Sequence, residues 1–415
     1  MAKPISTGLA IFTTTLIYKD KIMKNILLTC AFLFSSVVLI SCGSTQPNQS
    51  NNAQACSNGV VRITTDFSTA RMDECSLVAE NDYLITLVPE NTPINSSPWY
   101  AFKIQADQTT NIRITMKVRG DEHRYPPKVS VNGGAWKLQK HKINGKRLTM
   151  NLVASTTPVI ISAQEIINNQ YYVDWANKVM KSGNVTHSIL GNSTQGRPIY
   201  KIEHKNENAK EWLVILGRQH PPEITGALAL FSFVETIIST TKLSEKYLEK
   251  YNVLVIPNIN PDGVHAGNWR HNANGLDLNR DWKNFSQIET RLINDYLQQL
   301  VKQGQKIKFA VDFHSTRRDI FYSMPVDYGV EDAYFVKHWL GELDAFMPNF
   351  NVVIKPGNNP NLGVSKQYFS DKYGVHAITY EMGDNTDRDK IKVIAFNSAK
   401  LLMSNMLSNV NHNQE

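Results

Sequence analysis

Four short segments carry the residues best suited to chemistry. His220-Pro-Pro-Glu223 joins an imidazole to a carboxylate, and Asp312-Phe-His314 supplies a second imidazole. Between them, Asn260 to Trp282 reads NPDGVHAGNWRHNANGLDLNRDW, dense in turn formers (Pro261, Gly263, Gly267, Gly275) and in anion-binding side chains (Arg270, Asn279, Arg280). Glu381 closes the apolar run HAITYE. Two imidazoles and one carboxylate make a three-ligand zinc site with one position open, as catalytic zinc requires. Pro221 and Pro222 disfavour a helix running through His220. That pair therefore reads as a strand-to-helix corner with Glu223 in the first turn. Arg280 can hold a carboxylate in fork geometry with Asn279 beside it, and Arg270 can polarise a carbonyl together with a metal. Glu381 can act as a general base toward a water. Each fragment alone has a plainer reading: a chance surface H-x-x-E, a hydrogen-bonded strand-end histidine, a surface ion pair, a solvent-facing glutamate. Their joint presence and order give them force.

The elements that must position them follow from periodicity. WLVILG runs into the His220 segment, VLVIPNI into the long loop, and KFAVDFH and HAITYEM contain His314 and Glu381. Each is a buried-strand pattern. Helical patterns alternate with them: YYVDWANKVMKS, GALALFSFVETII, SQIETRLINDYLQQLVKQ, DAYFVKHWLGELDAF, SKQYFSDKYG and KVIAFNSAKLLMSNML. This is an α/β pattern: a mixed or mostly parallel central sheet with helices on both faces, and sites at strand ends.

The preceding stretch has a different period. Seven short strands between about Val60 and Ala163, with Asn132-Gly133-Gly134 as a hairpin signal, predict a smaller antiparallel β-sandwich. No ionisable cluster stands out in it, which assigns it a packing or recognition role. The predicted organisation is a leader and signal over 1–42, a flexible tether over 43–59, the sandwich over 60–165 and an α/β domain over 166–410. Met23 opens a charged start followed by the apolar run Ile26 to Ile40. Leu39-Ile40-Ser41-Cys42 resembles the bacterial lipobox, so Cys42 is the expected lipidation site, with an ordinary signal peptide or short anchor as the plainer reading. Translation from Met1 or from Met23 fits equally. The resulting expectation is an envelope protein, lipid-anchored and facing the periplasm or exterior. Export favours a disulfide between the two remaining cysteines, Cys56 and Cys75. The net charge of +7 is dispersed. Its one basic cluster, Lys137 to Arg147, is too short and too poor in aromatics to argue for nucleic acid.

The ordered set HPPE, NPDG…WR…GLDLNRDW, DFHS and TYE resembles the M14 zinc carboxypeptidases over about residues 171–405. The resemblance implies hydrolysis of the C-terminal residue of peptides by a zinc-bound water that a glutamate activates. It implies one Zn2+ on His220, Glu223 and His314, with Glu381 as catalytic glutamate and Arg270 polarising the carbonyl. Asn279 and Arg280 would clamp the terminal carboxylate, and Asp277 would orient the first histidine. A sandwich ahead of the catalytic domain is similar to the cytosolic-carboxypeptidase branch, which includes deglutamylases. The family's mobile tyrosine has no obvious counterpart; Tyr368 and Tyr373 both lie closer to Glu381 than the family pattern expects, with Tyr368 the favoured candidate, and either could instead pack a helix. Lys366, if aimed into the pocket, would favour acidic terminal side chains; at a helix start it could equally face solvent. Implied partners are peptide C-termini or cell-wall stem peptides. Two other readings remain: an N-acyl amino acid amidohydrolase of the aspartoacylase type, and a catalytically silent binding lipoprotein.

Overall fold

The computed structural model describes residues 55–182 and 185–408. The expected leader, the expected lipidation site Cys42, most of the expected tether and the chain after Ser408 lie outside them. Eleven strands come first: β1 Ala55–Ser57, β2 Val61–Thr64, β3 Glu74–Ala79, β4 Asp82–Leu87, β5 Ala101–Ala106, β6 Thr110–Val118, β7 Lys128–Val131, β8 Lys137–Leu138, β9 Lys142–Asn144, β10 Arg147–Ala154 and β11 Val159–Ser162. They form two sheets, ordered β1-β2-β5-β11-β7-β8 and β3-β4-β6-β10-β9. Strict alternation drives this. In β6, Ile112, Ile114, Met116 and Val118 are buried while the residues between them face outward, the half-buried strand pattern. One pair, β4 with β6, is parallel. The chain leaves that sheet after β4, builds β5 in the facing sheet and re-enters in the same direction. The tether is shorter than expected, because β1 pairs with β2 and Cys56 of β1 is joined to Cys75 of β3 across the two sheets.

The second part runs α1 Asn169–Ser182, β12 Thr186–Asn192, β13 Pro198–His204, β14 Glu211–Gly217, α2 Ile224–Ile237, α3 Lys242–Lys250, β15 Tyr251–Ile256, α4 Pro261–Ala266, α5 Ile288–Lys302, β16 Lys306–Thr316, β17 Ile320–Ser323, α6 Phe335–Phe346, β18 Ile354–Pro356, α7 Ser365–Tyr373, β19 His376–Gly383 and α8 Arg388–Leu407. Its eight strands form one sheet, ordered β12-β13-β15-β14-β16-β19-β17-β18. The central neighbours β15, β14, β16 and β19 are parallel, and β13 and β17 join them antiparallel, so the sheet is mixed.

Residue parity divides the core. Leu213, Val253, Val311, Phe313, Ile378 and Tyr380 pack with α2, α3, α6 and α8 on one face. Val214, Leu254, Ala310 and Ala377 pack with residues of α5 and α7 on the other. Burial on both faces explains why these strands read as continuous apolar runs. At the carboxyl ends the second row turns polar: Ala310 is followed at period two by Asp312 and His314, and Ala377 by Thr379 and Glu381. The same alternation that builds the core therefore aims these four side chains to one side of the sheet.

Candidate active site

His220 and Glu223 follow β14 after a tight corner. Arg218 adopts positive φ there and its Nε donates to the Pro221 carbonyl at 2.9 Å. Glu223 stands at the N-cap position immediately before α2 rather than inside its first turn. Helix α2 approaches β16 so closely that a Cβ on Gly226 would lie 2.4 Å from the His314 carbonyl oxygen; glycine is what permits this approach. The corner thereby delivers His220 and Glu223 to the end of β16, where His314 lies.

The three side chains converge. His220 Nδ1 is 2.8 Å from Glu223 Oε1, His314 Nδ1 is 2.8 Å from Glu223 Oε2, and the two Nδ1 atoms are 3.2 Å apart. The opposite nitrogen of each ring meets a carboxylate: His220 Nε2 meets Asp277 at 2.9 Å and His314 Nε2 meets Asp312 at 2.9 Å. With a metal on the Nδ1 side, those contacts would hold the proton on Nε2 and leave a lone pair on each Nδ1. Two lone pairs and a carboxylate then face one point, with ligand atoms all within 4.8 Å of one another. That arrangement repels itself unless a cation lies between, and imidazole–imidazole–carboxylate is a zinc donor set. The field agrees. Burial works against charge on His314, yet Asp312 and Glu223 outweigh it and raise its pKa well above the usual value. Burial likewise opposes ionisation of Glu223, and the two imidazoles overcome it and hold its carboxyl well below the usual range.

Asp277 caps the 3-10 turn Leu278–Arg280, accepting from the Asn279 amide at 2.9 Å. Its other oxygen accepts from Arg270 Nε at 2.7 Å. Burial opposes its ionisation, but His220, Arg270 and Arg280 hold its pKa far below the ordinary carboxylate value. Glu381 is the register partner of His314 across β16 and β19. Its Oε2 is enclosed without a hydrogen-bond partner among the described residues. Burial, then the Glu223 charge, push its pKa up to about 7, the range a general base needs near neutral pH.

His220, Glu223, His314 and Glu381 line a cavity of about 880 Å³ that also includes Arg270, Asn279 and Arg280. Arg280 is partly exposed, its Nη1 donating to the Asn279 carbonyl at 2.7 Å. Asn279 is buried, its Oδ1 taken by the Ser365 amide at 2.9 Å.

One expected substrate contact is corrected, and the other lines the cavity with its ammonium already engaged. Tyr368 lies outside this cavity. Its hydroxyl meets Asn294 and Tyr373, each at 2.9 Å, and its ring packs on Trp282 and Phe285. Apolar packing and two hydroxyl partners hold it in the α7 layer. Among the described residues, Tyr322 of β17 is the tyrosine that lines the cavity. Lys366 borders the cavity but neither pairs with open space nor faces solvent. Its ammonium donates to the Ser323 carbonyl at 3.1 Å, the Gly357 carbonyl at 2.5 Å and Met324 Sδ at 3.0 Å. Burial lowers its pKa to about 8. A buried ammonium needs all its donors satisfied, and these three acceptors use them.

The sequence reading missed several residues. Asp312 sits two positions before His314 on one strand face, a spacing that could have revealed it. Arg317 and Arg318 follow the same strand and line the cavity, exposed. The sandwich also reaches in. Arg124 forks onto Asp384 at 2.8 and 3.0 Å and donates to the Ser315 carbonyl at 3.1 Å, while Asn95, Ser96 and Asp121 complete that wall. Glu90 accepts the backbone N–H groups of Trp269, Arg270 and His271 at 2.8, 2.9 and 2.7 Å. A lone glutamate in VPENTP carries no sequence signal of such a role.

Among the described residues, one three-ligand metal position lies at the carboxyl ends of parallel strands with a carboxylate beside it, the arrangement a mononuclear metallohydrolase uses. The family model described as zinc carboxypeptidase (Peptidase_M14) matches residues 172–397, more than half of the chain. The chain therefore belongs to the zinc carboxypeptidase family. Human cytosolic carboxypeptidase 2 is 27% identical over 184 residues, 41% of this chain and 20% of that protein, so the chain matches about a fifth of its length. A metallo-carboxypeptidase structure from Burkholderia cenocepacia shares the fold with TM-score 0.72 at 15% identity, covering 83% of this chain and 99% of that one. A metallo-carboxypeptidase from Pseudomonas aeruginosa, solved with (2-guanidinoethylmercapto)succinic acid, gives TM-score 0.67 at 18% identity over 82% and 98% of the two chains.

Proposed function

We propose that the chain removes the C-terminal residue of peptides at the cell envelope, using His220, Glu223 and His314 as zinc ligands and Glu381 as the general base. The observation that carries this reading is the register that sets Glu381 beside His314 on the sheet face holding the triad. Zinc bound there supplies a Lewis acid for the scissile carbonyl and an acidified water. Glu381 takes the proton from the attacking water and passes it to the leaving amine. Arg270, tethered at Nε by Asp277, stabilises negative charge developing on the carbonyl oxygen. Arg280 binds the terminal carboxylate, with the Asn279 amide group beside it. Asp277 and Asp312 fix the two imidazoles in the tautomer that ligation needs.

The test measures zinc content and hydrolysis across peptides varied at the C-terminal residue, for the wild type and Glu381→Gln. The expected outcome is one zinc per chain in both, with turnover falling by ~10²- to 10⁴-fold in the variant. A wild type that hydrolyses N-acyl amino acids but no peptide would replace this reading with an amidohydrolase. Envelope anchoring rests on the Leu39-Ile40-Ser41-Cys42 segment and makes nutrient peptides or wall stem peptides the accessible substrates. Cys42→Ser is expected to leave the membrane fraction; a variant that stays there would place the anchor elsewhere.

A further inference from the structure

We infer that Glu90, a residue of the sandwich, is a positioning residue for Arg270, and that the sandwich is thereby a working part of the catalytic centre. The inference rests on the carboxypeptidase reading, in which Arg270 faces the reacting carbonyl.

Residues 267–275 have no regular secondary structure of their own. Three consecutive N–H groups, Trp269 to His271, point at one carboxylate, with distances of 2.8, 2.9 and 2.7 Å. Successive backbone amides form a concave anion site, and bonds from amides to an ionised carboxylate are among the stronger hydrogen bonds. The Glu90 side chain is only 7% exposed, and the nearest guanidinium, Arg71 Nη1, is 3.9 Å away. Most of the compensation for burying this charge therefore comes from the loop itself. The neighbour Asn91 adds two ties, Oδ1 to His271 Nδ1 at 2.6 Å and Nδ2 to the Gly275 carbonyl at 2.9 Å. The loop entrance is matched to the same surface. Gly267 has φ +66, and a Cβ there would lie 2.7 Å from the Thr69 carbonyl oxygen.

These contacts fix the backbone from which Arg270 reaches Asp277 Oδ2 at 2.7 Å, and Asp277 in turn holds His220. A chain of contiguous polar contacts therefore runs from the sandwich to the metal position. Removing an acceptor from Glu90 frees the Arg270 main chain while leaving the sheet and the triad as they are. Charge stabilisation in the transition state depends on sub-ångström placement, and a misplacement of about 1 Å costs on the order of 10²-fold.

The experiment uses the full chain with zinc loaded, comparing wild type, Glu90→Gln, Arg270→Ala and the double variant. Glu90→Gln keeps one acceptor and turns an NH2 group toward a backbone N–H. Expected are kcat lower by ~10- to 100-fold with KM nearly unchanged, zinc still at one per chain, faster hydrogen exchange at Trp269 to His271, and a double variant no slower than Arg270→Ala alone. Glu90→Gln with wild-type kcat and exchange would overturn the inference. So would a loss that multiplies fully with that of Arg270→Ala, since Glu90 would then act by another route. If the wild type cleaves no peptide, the carboxypeptidase reading fails separately. Amide exchange in Glu90→Gln still decides, without turnover, whether Glu90 holds this loop.

Discussion

The two sides of the catalytic cavity are built by different means. On one side the metal ligands and Glu381 grow out of the parallel sheet: His314 and Glu381 are register partners, and His220 and Glu223 lie at the corner between β14 and α2. Their placement follows from the packing of a two-faced core. On the other side Arg270 stands on an irregular loop whose backbone is held by Glu90 and Asn91 of another sheet system. A sheet-borne group keeps its position as long as the domain folds. A loop-borne group keeps its position only as long as a few named polar contacts persist. Damage on the two sides should therefore have different signatures, loss of metal on one and loss of rate with metal retained on the other.

The sharpest break of this comparison is Arg270→Ala. It removes the proposed transition-state contact from the loop side, so kcat is expected to fall by ~10²- to 10³-fold while zinc content stays at that of the wild type. Loss of zinc in this variant would mean that the loop also holds the triad together, and the two sides would merge. The contact Arg270–Asp277–His220 makes that a real alternative outcome. Next in size is Asp312→Asn on the sheet side. Its Oδ2 accepts from His314 Nε2, from Gln219 Nε2 and from the Ser365 hydroxyl. The amide can still accept from one of them but no longer supports an electron-rich imidazole. Zinc affinity is expected to drop ~10- to 100-fold, with activity restored by excess zinc. Competition with a chelator measures it directly, and unchanged affinity would remove Asp312 from the metal's support.

The same contrast explains what the sequence could disclose. The sheet side was legible because apolar runs end in chemistry: WLVILG before His220, KFAVDFH through His314, HAITYE through Glu381. Period-two alternation carries information about neighbours that are far apart in the chain. Several short elements were not legible. β12, β13, β17 and β18 extend the sheet at its edges and lack a long apolar run, and α4 lies inside a stretch that reads as loop. The loop side was illegible for a stronger reason. Glu90 and Arg270 are separated by 180 residues, and their contact involves backbone amides, which leave no residue-type signature. Tyr368 was misplaced for a related reason. Its segment precedes Glu381, which suggested the pocket, but helix α7 buries its side chain against Asn294, Tyr373, Trp282 and Phe285.

The smallest expected effect concerns the charge that meets the substrate. Lys366 donates to two carbonyls and a sulfur, so it is expected not to select a side chain. Arg317 and Arg318 remain on the cavity wall, exposed. Asp121 is the acidic wall residue outside the catalytic set. The local charge balance therefore favours peptides with acidic side chains near the C-terminus. Solvent-exposed ion pairs contribute only ~0.2–1 kcal/mol each, so the preference carried by this pair is expected to be a few-fold, about thirtyfold at most. The double variant Arg317→Ala/Arg318→Ala is expected to lower kcat/KM for a peptide ending in Glu relative to one ending in Phe by that factor. The difference should shrink as salt rises, because exposed charges are screened beyond roughly 10 Å at 0.1 M ionic strength. Lys366→Ala serves as the contrast. Removing it strips buried carbonyls of their donor, so stability is expected to fall while the Glu-to-Phe ratio stays put. A ratio that moves with Lys366 and not with the arginine pair would return selectivity to α7, and would show that the ammonium leaves its carbonyl partners when substrate enters.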